Sequence, residues 1–289
     1  MQTNSIGTNA DTKAGVDISK VHGGYFADPV NLKKFIELGI DPIINSFSKD
    51  INYVDFGGGQ GHLASAVKKY LEDEGYMVNA IVADANDGYL LKAKERGLET
   101  KLCNLEDKNF SNLDLATMRA VLHYNTPTNQ KLILESIFKS LKNGGYLVHQ
   151  NSSGNKENCE LRSALVNIQE LGRAGAGNYH WVSEEEYLLL VREVGFSNTV
   201  TNGYAKANSW GPEEQWDRFN SEITRQAVEG NNKKALSDIE IRKKAYLAKA
   251  YKMIKEYSDK YGKEYLGIKD IDNGKLVIEY LYPIIVSKK

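Results

Sequence analysis

Cysteine is scarce: Cys103 and Cys159 are the two in 289 residues. Two thiols are too few for a disulfide scaffold, and they lack the close spacing of a zinc ligand pair. A reducing, cytoplasmic setting is therefore expected, with no metal site. No apolar run approaches the ~20 residues of a membrane-spanning helix. The opening MQTNSIGTNADTKAGVDISK has no apolar h-region, so no secretory signal is expected. Residues 1–20 read as a flexible polar tail. There is no excess of charge: 37 Lys and Arg face 38 Asp and Glu, for a net −1. The chain as a whole is no electrostatic trap for nucleic acid. Internal repeats and low-complexity blocks are also missing. What is present is an apolar fraction of 41%, enough for a sizeable core.

Past the tail, Asp28-Pro29 signals a helix start, and apolar spacing carries the helix to about Ser48. An alternation then begins. Residues 51–56, 77–84, 98–103, 113–122 and 146–150 read as strands. Residues 60–74, 87–96 and 127–141 read as helices between them. This rhythm predicts an α/β fold with a mostly parallel sheet. Further on, 159–171 reads as helix, and Ser183 with Glu186 has capping-box spacing before a helix to about Val194. Residues 196–204 read as a strand. Two long helical patterns, 211–229 and 237–261, flank the breaker EGNNKK and predict a helical hairpin. GKLVIEYLYPIIVSKK closes the chain as a strand.

The glycine-rich VDFGGGQGHL, residues 54–63, lies where the first strand hands over to a helix. A dinucleotide fingerprint wants glycine at 62, where His62 stands. A P-loop wants Lys followed by Ser or Thr, which is absent. What remains is Asp55 followed by Gly57, Gly59 and Gly61 at alternate positions, which lets backbone approach a ligand closely. This pattern resembles the first motif of class I S-adenosylmethionine-dependent methyltransferases. Asp84 in IVADAND, LCNLED, LDLATMRAVLHY and LKNGGYLVHQ follow in the family's order. The resemblance covers about residues 52–151.

The resemblance implies a Rossmann-like, seven-stranded methyltransferase sheet, mostly parallel with an antiparallel last strand and helices on both faces. It implies S-adenosylmethionine as donor and S-adenosylhomocysteine as product. Asp55, Gly57, Gly59 and Gly61 would approach the amino-acid end of the cofactor. Asp84 with Ala85 would take the ribose, and Asn104 and Leu105 the adenine. Arg119 ends the strand that would face the methionine part. Tyr25, in HGGYF, is expected either as a lid over the cofactor or as a packed aromatic. The implied organisation is a helical cap at 21–50, a core at 51–206 and 274–289, and a helical insertion at 207–273. That insertion between strands 6 and 7 is a substrate cap or a homodimer contact.

His123 also ends the fourth strand. Its place resembles that of the proton-removing histidine in small-molecule O-methyltransferases. Tyr124-Asn125 replace the Asp-Trp of that group, and its amino-terminal dimerisation domain is not found. His123 is thus expected either as general base or in a positioning or packing role. Tyr124, His149, Tyr179, His180, Trp181 and Trp210 are candidate substrate contacts, although a satisfied strand histidine is the stronger reading of His149. The lysines and Arg242 on the second hairpin helix read as a solvated face. The function expected is methyl transfer to a small molecule, with oxygen favoured over nitrogen or carbon. An RNA or protein methyltransferase, or a cofactor-binding protein without turnover, stays open.

Overall fold

The computed structural model describes residues 25–107, 110–173, 176–271 and 274–289. The tail at 1–20 and positions 21–24 of the expected cap lie outside them.

Strands β1 (Asp50–Phe56), β2 (Met77–Asp84), β3 (Glu99–Leu102), β4 (Leu113–Arg119) and β5 (Leu141–Gln150) pair in parallel. β6 (Ser197–Trp210), β7 (Ile268–Ile271) and β8 (Lys275–Lys288) follow. The order is β3-β2-β1-β4-β5-β8-β6, and β8 runs antiparallel to both neighbours. β7 pairs with the start of β8, one short strand more than the seven expected. Three of its four residues are exposed, so no alternation announced it.

Helices cover both faces. α1 (Pro29–Phe35), α2 (His62–Asp73) and α3 (Asp87–Glu95) bury Phe35, Val67, Leu71 and Leu90 on one side. α4 (Pro127–Ser140) and α6 (Glu184–Val194) bury Leu134, Ile137, Tyr187 and Val191 on the other. α5 (Lys156–Val166) and the hairpin of α7 (Pro212–Glu229) and α8 (Lys233–Tyr261) join the first of these cores.

Local chemistry sets the ends. Thr126 caps α4, with Pro127 in its first turn, and Asn155 caps α5. Ser183 and Glu186 form the capping box expected for α6. Asn232 accepts the Ala235 amide at 3.0 Å, so α8 starts inside the breaker rather than at 237.

The first helix does not run regularly to Ser48. It loosens into a π turn at Ile36–Ile40 and a 3-10 turn at Asp41–Ser46. Pro42 has no N–H for the α ladder. Gly39 presses on the sheet so closely that a Cβ there would lie 2.5 Å from Val148. β6 runs past Tyr204 to Trp210, because β8 is long enough to pair with all of it.

Candidate active site at the carboxyl ends of the strands

β1 and β4 are neighbours at the point where the strand order reverses, the place where open α/β sheets bind ligands. Here Gly57, Gly59 and Gly61 take φ of 67°, 54° and 77°. This left-handed region is open to glycine and strained for other residues. A Cβ on Gly57 would lie 2.3 Å from Val121 Cγ2, and one on Gly61 2.6 Å from Leu98 Cδ1. The Gly59 amide donates to Asp84 Oδ2 at 2.9 Å, and the Asn86 amide to Oδ1 at 2.9 Å. Asp84 therefore ties the glycine turn to the end of β2, and each oxygen keeps a second lone pair for a ligand hydroxyl. Ala85 follows it. The Cys103 amide on the Asp84 carbonyl, at 3.1 Å, brings the Asn104–Leu105 turn to the same edge.

Asp55 is buried beneath this turn and accepts the Thr117 hydroxyl at 2.6 Å. Burial pushes its carboxyl up to about 7, against the pull of Thr117 and Arg119. Arg119 is also buried, which lowers it to about 10. One of its nitrogens donates to the Tyr25 carbonyl at 3.3 Å, while Nε and Nη1 have no partner among the described residues. The zwitterionic end of S-adenosylmethionine presents a carboxylate and an ammonium. An under-satisfied guanidinium beside a buried carboxyl fits that pair. Tyr25 itself is buried and stacked on Tyr282, with centroids 4.4 Å apart. Next to Arg119, Ala120 holds φ 56°, a strained conformation for a residue with a Cβ.

Past Ala120 and Val121, the turn Leu122–Tyr124 carries His123 into a pocket. Its Nδ1 lies 2.9 Å from Asn151 Oδ1, and its ring stacks on Trp181 at 4.7 Å. Burial holds the imidazole well below its usual range, and Arg173, Arg162 and Arg218 add to this. His123 is thus neutral at physiological pH. Tyr124, Trp181 and Trp210 line the same pocket.

His149, Tyr179 and His180 are not among its lining residues. His149 ends on the opposite face of the sheet, stacked on Tyr187 at 4.1 Å, with burial lowering it to about 3. Tyr179 lies under Arg173, 3.8 Å from guanidinium to ring centroid. His180 contributes backbone: its amide donates to the His123 carbonyl at 3.0 Å, and its carbonyl accepts Gln130 Nε2 at 2.7 Å.

Sequence reading missed Ser152, Arg162, Arg173, Arg218, Tyr280 and Tyr282, which line the pocket, and Asn151, which orients His123. One signal was available for Arg162. It sits at helical spacing between Cys159 and Val166, an arginine on an apolar stripe. The others converge from four separate parts of the chain, and no spacing reports that.

Among the described residues, no group of three or more His, Cys, Asp or Glu side chains is placed to hold a metal ion. No described helix is long and apolar enough to cross a membrane.

Residues 31–200, more than half of the chain, match the sequence profile of a family described as methyltransferase domain. No curated protein sequence matches the chain. Among solved structures, a protein of Bacillus halodurans described as a methyltransferase is similar in fold, with TM-score 0.58 and 16% identity. That likeness covers 90% of this chain and 98% of the other. The YcgJ protein of Bacillus subtilis is similar, with TM-score 0.58 and 14% identity, over 86% of this chain and 97% of that one. With the glycine turn, the Asp84 staple and the Asp55–Arg119 pair in place, the chain belongs to the class I methyltransferase family: it is a methyltransferase whose cofactor is S-adenosylmethionine.

Proposed function

We propose that the protein methylates a small molecule held in the pocket beside His123, with His123 taking the acceptor's proton. One observation carries this reading. The pocket lining includes Ala120 and His123, and Val121 between them packs on Gly57 of the cofactor turn. Acceptor and donor sites thus share one short piece of chain. When bound, S-adenosylmethionine supplies an electrophilic methyl group on a sulfonium centre. Asp84 and Ala85 would hold its ribose, Asn104 and Leu105 its adenine, and Asp55 and Arg119 its amino-acid end. Holding both partners at near-attack distance is worth ~7–11 kcal/mol of the barrier.

His123 suits the role of base because it is neutral and oriented. An amide oxygen only accepts, so its Nδ1 carries the hydrogen and Nε2 keeps a lone pair. A positioned base contributes roughly 10²–10⁴-fold, and an oxygen acceptor gains most from it.

The first hairpin helix supports a cap role for residues 207–273, since Gln215, Arg218 and Phe219 line the pocket with Trp210. The hairpin's cations speak for a small acceptor over RNA. Lys243 pairs with Asp217 at 2.9 Å, Lys255 with Asp259 at 2.6 Å, and Lys249 with Glu170. Charges paired with neighbouring acids form no continuous basic track. Both cysteines are free, which is in keeping with a cytoplasmic protein.

The test is incubation of the protein with methyl-labelled donor and, separately, a metabolite extract, total RNA and denatured protein. Label entering the small-molecule fraction, and falling at least ~10-fold in His123→Gln, is the expected result. Label in RNA or protein alone overturns the reading.

A further inference from the structure

The charge count of the pocket is lopsided. Arg162, Arg173 and Arg218 line it, and no aspartate or glutamate is among its lining residues. Glu214, one turn before Arg218 on α7, lowers the charge imbalance at Arg218. Among the described residues Arg162 has no such companion. The groups whose charge reaches it are Cys159, Tyr280 and Tyr282. Burial raises all three, so each is neutral at physiological pH.

Arg162 is 1% exposed. Its guanidinium lies 4.2 Å from the ring centroid of Tyr280 and 5.1 Å from that of Trp181. Nη2 donates to Ser152 Oγ at 2.7 Å, while Nε and Nη1 have no partner among the described residues. A buried cation with two unfilled nitrogens and no counter-ion is expensive to keep. Buried polar groups are nearly always paired, so a group left open in a pocket wall points to a ligand.

Ser152 gives a second, independent indication. Its Oγ accepts from Arg162 Nη2 and also from Trp181 Nε1 at 2.8 Å. A hydroxyl has two acceptor lone pairs and one proton. Both lone pairs are engaged, so what Ser152 still offers is the proton, and only an acceptor atom can take it. Ser152 also lines the pocket. The open groups of this corner are thus all donors.

We propose that the methyl acceptor is an organic oxyanion, a carboxylate or phosphate, whose charged group is bound by Arg162 and Ser152. The apolar body of the molecule lies among the aromatic walls, which include Trp181, Trp210 and Phe219. The atom that receives the methyl group is a different one, facing His123. The part of this that concerns reaction rests on the small-molecule function proposed above. The part that concerns binding does not.

The experiment titrates benzoate, phenyl phosphate and benzamide into the full chain saturated with S-adenosylhomocysteine, by calorimetry. At least one charged probe is expected to bind ~10-fold or more tightly than neutral benzamide, as hydrogen bonds to a charged group require. Which one binds better separates a carboxylate site from a phosphate site. Arg162→Met is expected to remove that preference while S-adenosylhomocysteine still binds as in the unaltered protein. Ser152→Ala is expected to weaken it by a smaller factor. The inference is overturned if neither anion outbinds benzamide, or if Arg162→Met keeps the preference. It is also overturned if the anions bind only in the absence of S-adenosylhomocysteine, since the site would then be the cofactor's own. Should Arg162→Met fail to fold, Ser152→Ala and the charged-against-neutral comparison on the unaltered protein still decide. Failure of the unaltered protein to bind S-adenosylhomocysteine would count against the cofactor site instead, and the probe series on the free protein would remain readable.

Discussion

The imidazole Nδ1 of His123 lies 2.9 Å from the side-chain oxygen of Asn151. His123 follows the end of β4 and Asn151 follows β5, so the contact locks the tips of two adjacent strands and fixes the ring tautomer. Asn151→Leu removes the acceptor and leaves the ring free to turn. It is expected to lower kcat by about 10-fold, with cofactor affinity unchanged. The pH profile adds a check with a definite sign. The folded imidazole is held well below 6.5, so it stays neutral as pH falls through 6.5. The kcat profile should show no loss from its protonation in that range. An acid limb near 6.5, lost in His123→Gln, would show an ordinary exposed histidine.

Asp84 holds two backbone amides and is the expected ribose ligand. Asp84→Ala should weaken S-adenosylhomocysteine by ~1.5–3 kcal/mol, the worth of a hydrogen bond to a charged group. Calorimetry reads this directly, and unchanged affinity would remove Asp84 from the cofactor site.

Cofactor affinity is expected to depend on pH through Asp55. Its carboxyl is raised to about 7 in the free protein, and a ligand ammonium favours the ionised form. Below pH 7 the carboxyl must first lose its proton, at a cost of ~1.4 kcal/mol per pH unit. Affinity for S-adenosylhomocysteine should therefore fall by up to ~10-fold per unit as pH drops below 7, and level off above it. Asp55→Asn should bind weakly at pH 8 and abolish the slope. A parallel slope in both proteins would assign the titration elsewhere.

Gly57 and Val121 touch across the turn. Gly57→Ala places a Cβ where Val121 Cγ2 stands and forces a left-handed alanine. The conformation alone costs roughly 1–2 kcal/mol. The clash adds to this, and Val121→Ala should relieve the clash but not the conformation. A double-mutant cycle on melting temperature and cofactor affinity should thus show coupling of ~0.5–3 kcal/mol, in the sense of rescue. Additive effects would mean that the turn moves away from Val121.

The glycine turn and its tie to Asp84 were legible because they are local. Asp55 and the three glycines occupy seven consecutive positions, and Asp84 ends the very next strand. The element pattern was legible for the same reason, down to the capping box at Ser183. The early end of the first helix was less so, because it depends on Gly39 meeting Val148, a residue far along the chain. The pocket beside His123 was partly legible. His123, Tyr124, Trp181 and Trp210 were singled out and line the pocket, whereas His149 looked equivalent and faces away. Strand alternation decides that, and the strand's register decides the alternation.

By itself, the sequence determined the order of the helices and of every strand but β7, and the chemistry of the glycine turn. Both follow from periodicity and backbone freedom within a few residues of each other. Only the tertiary structure decided which aromatics and arginines meet. Arg162 on α5, Ser152 after β5, Trp181 before α6 and Tyr280 on β8 are brought together by packing on the sheet. Long-range packing gathers them into one pocket wall. There, burial without a counter-ion turns Arg162 from an ordinary surface charge into a binding group.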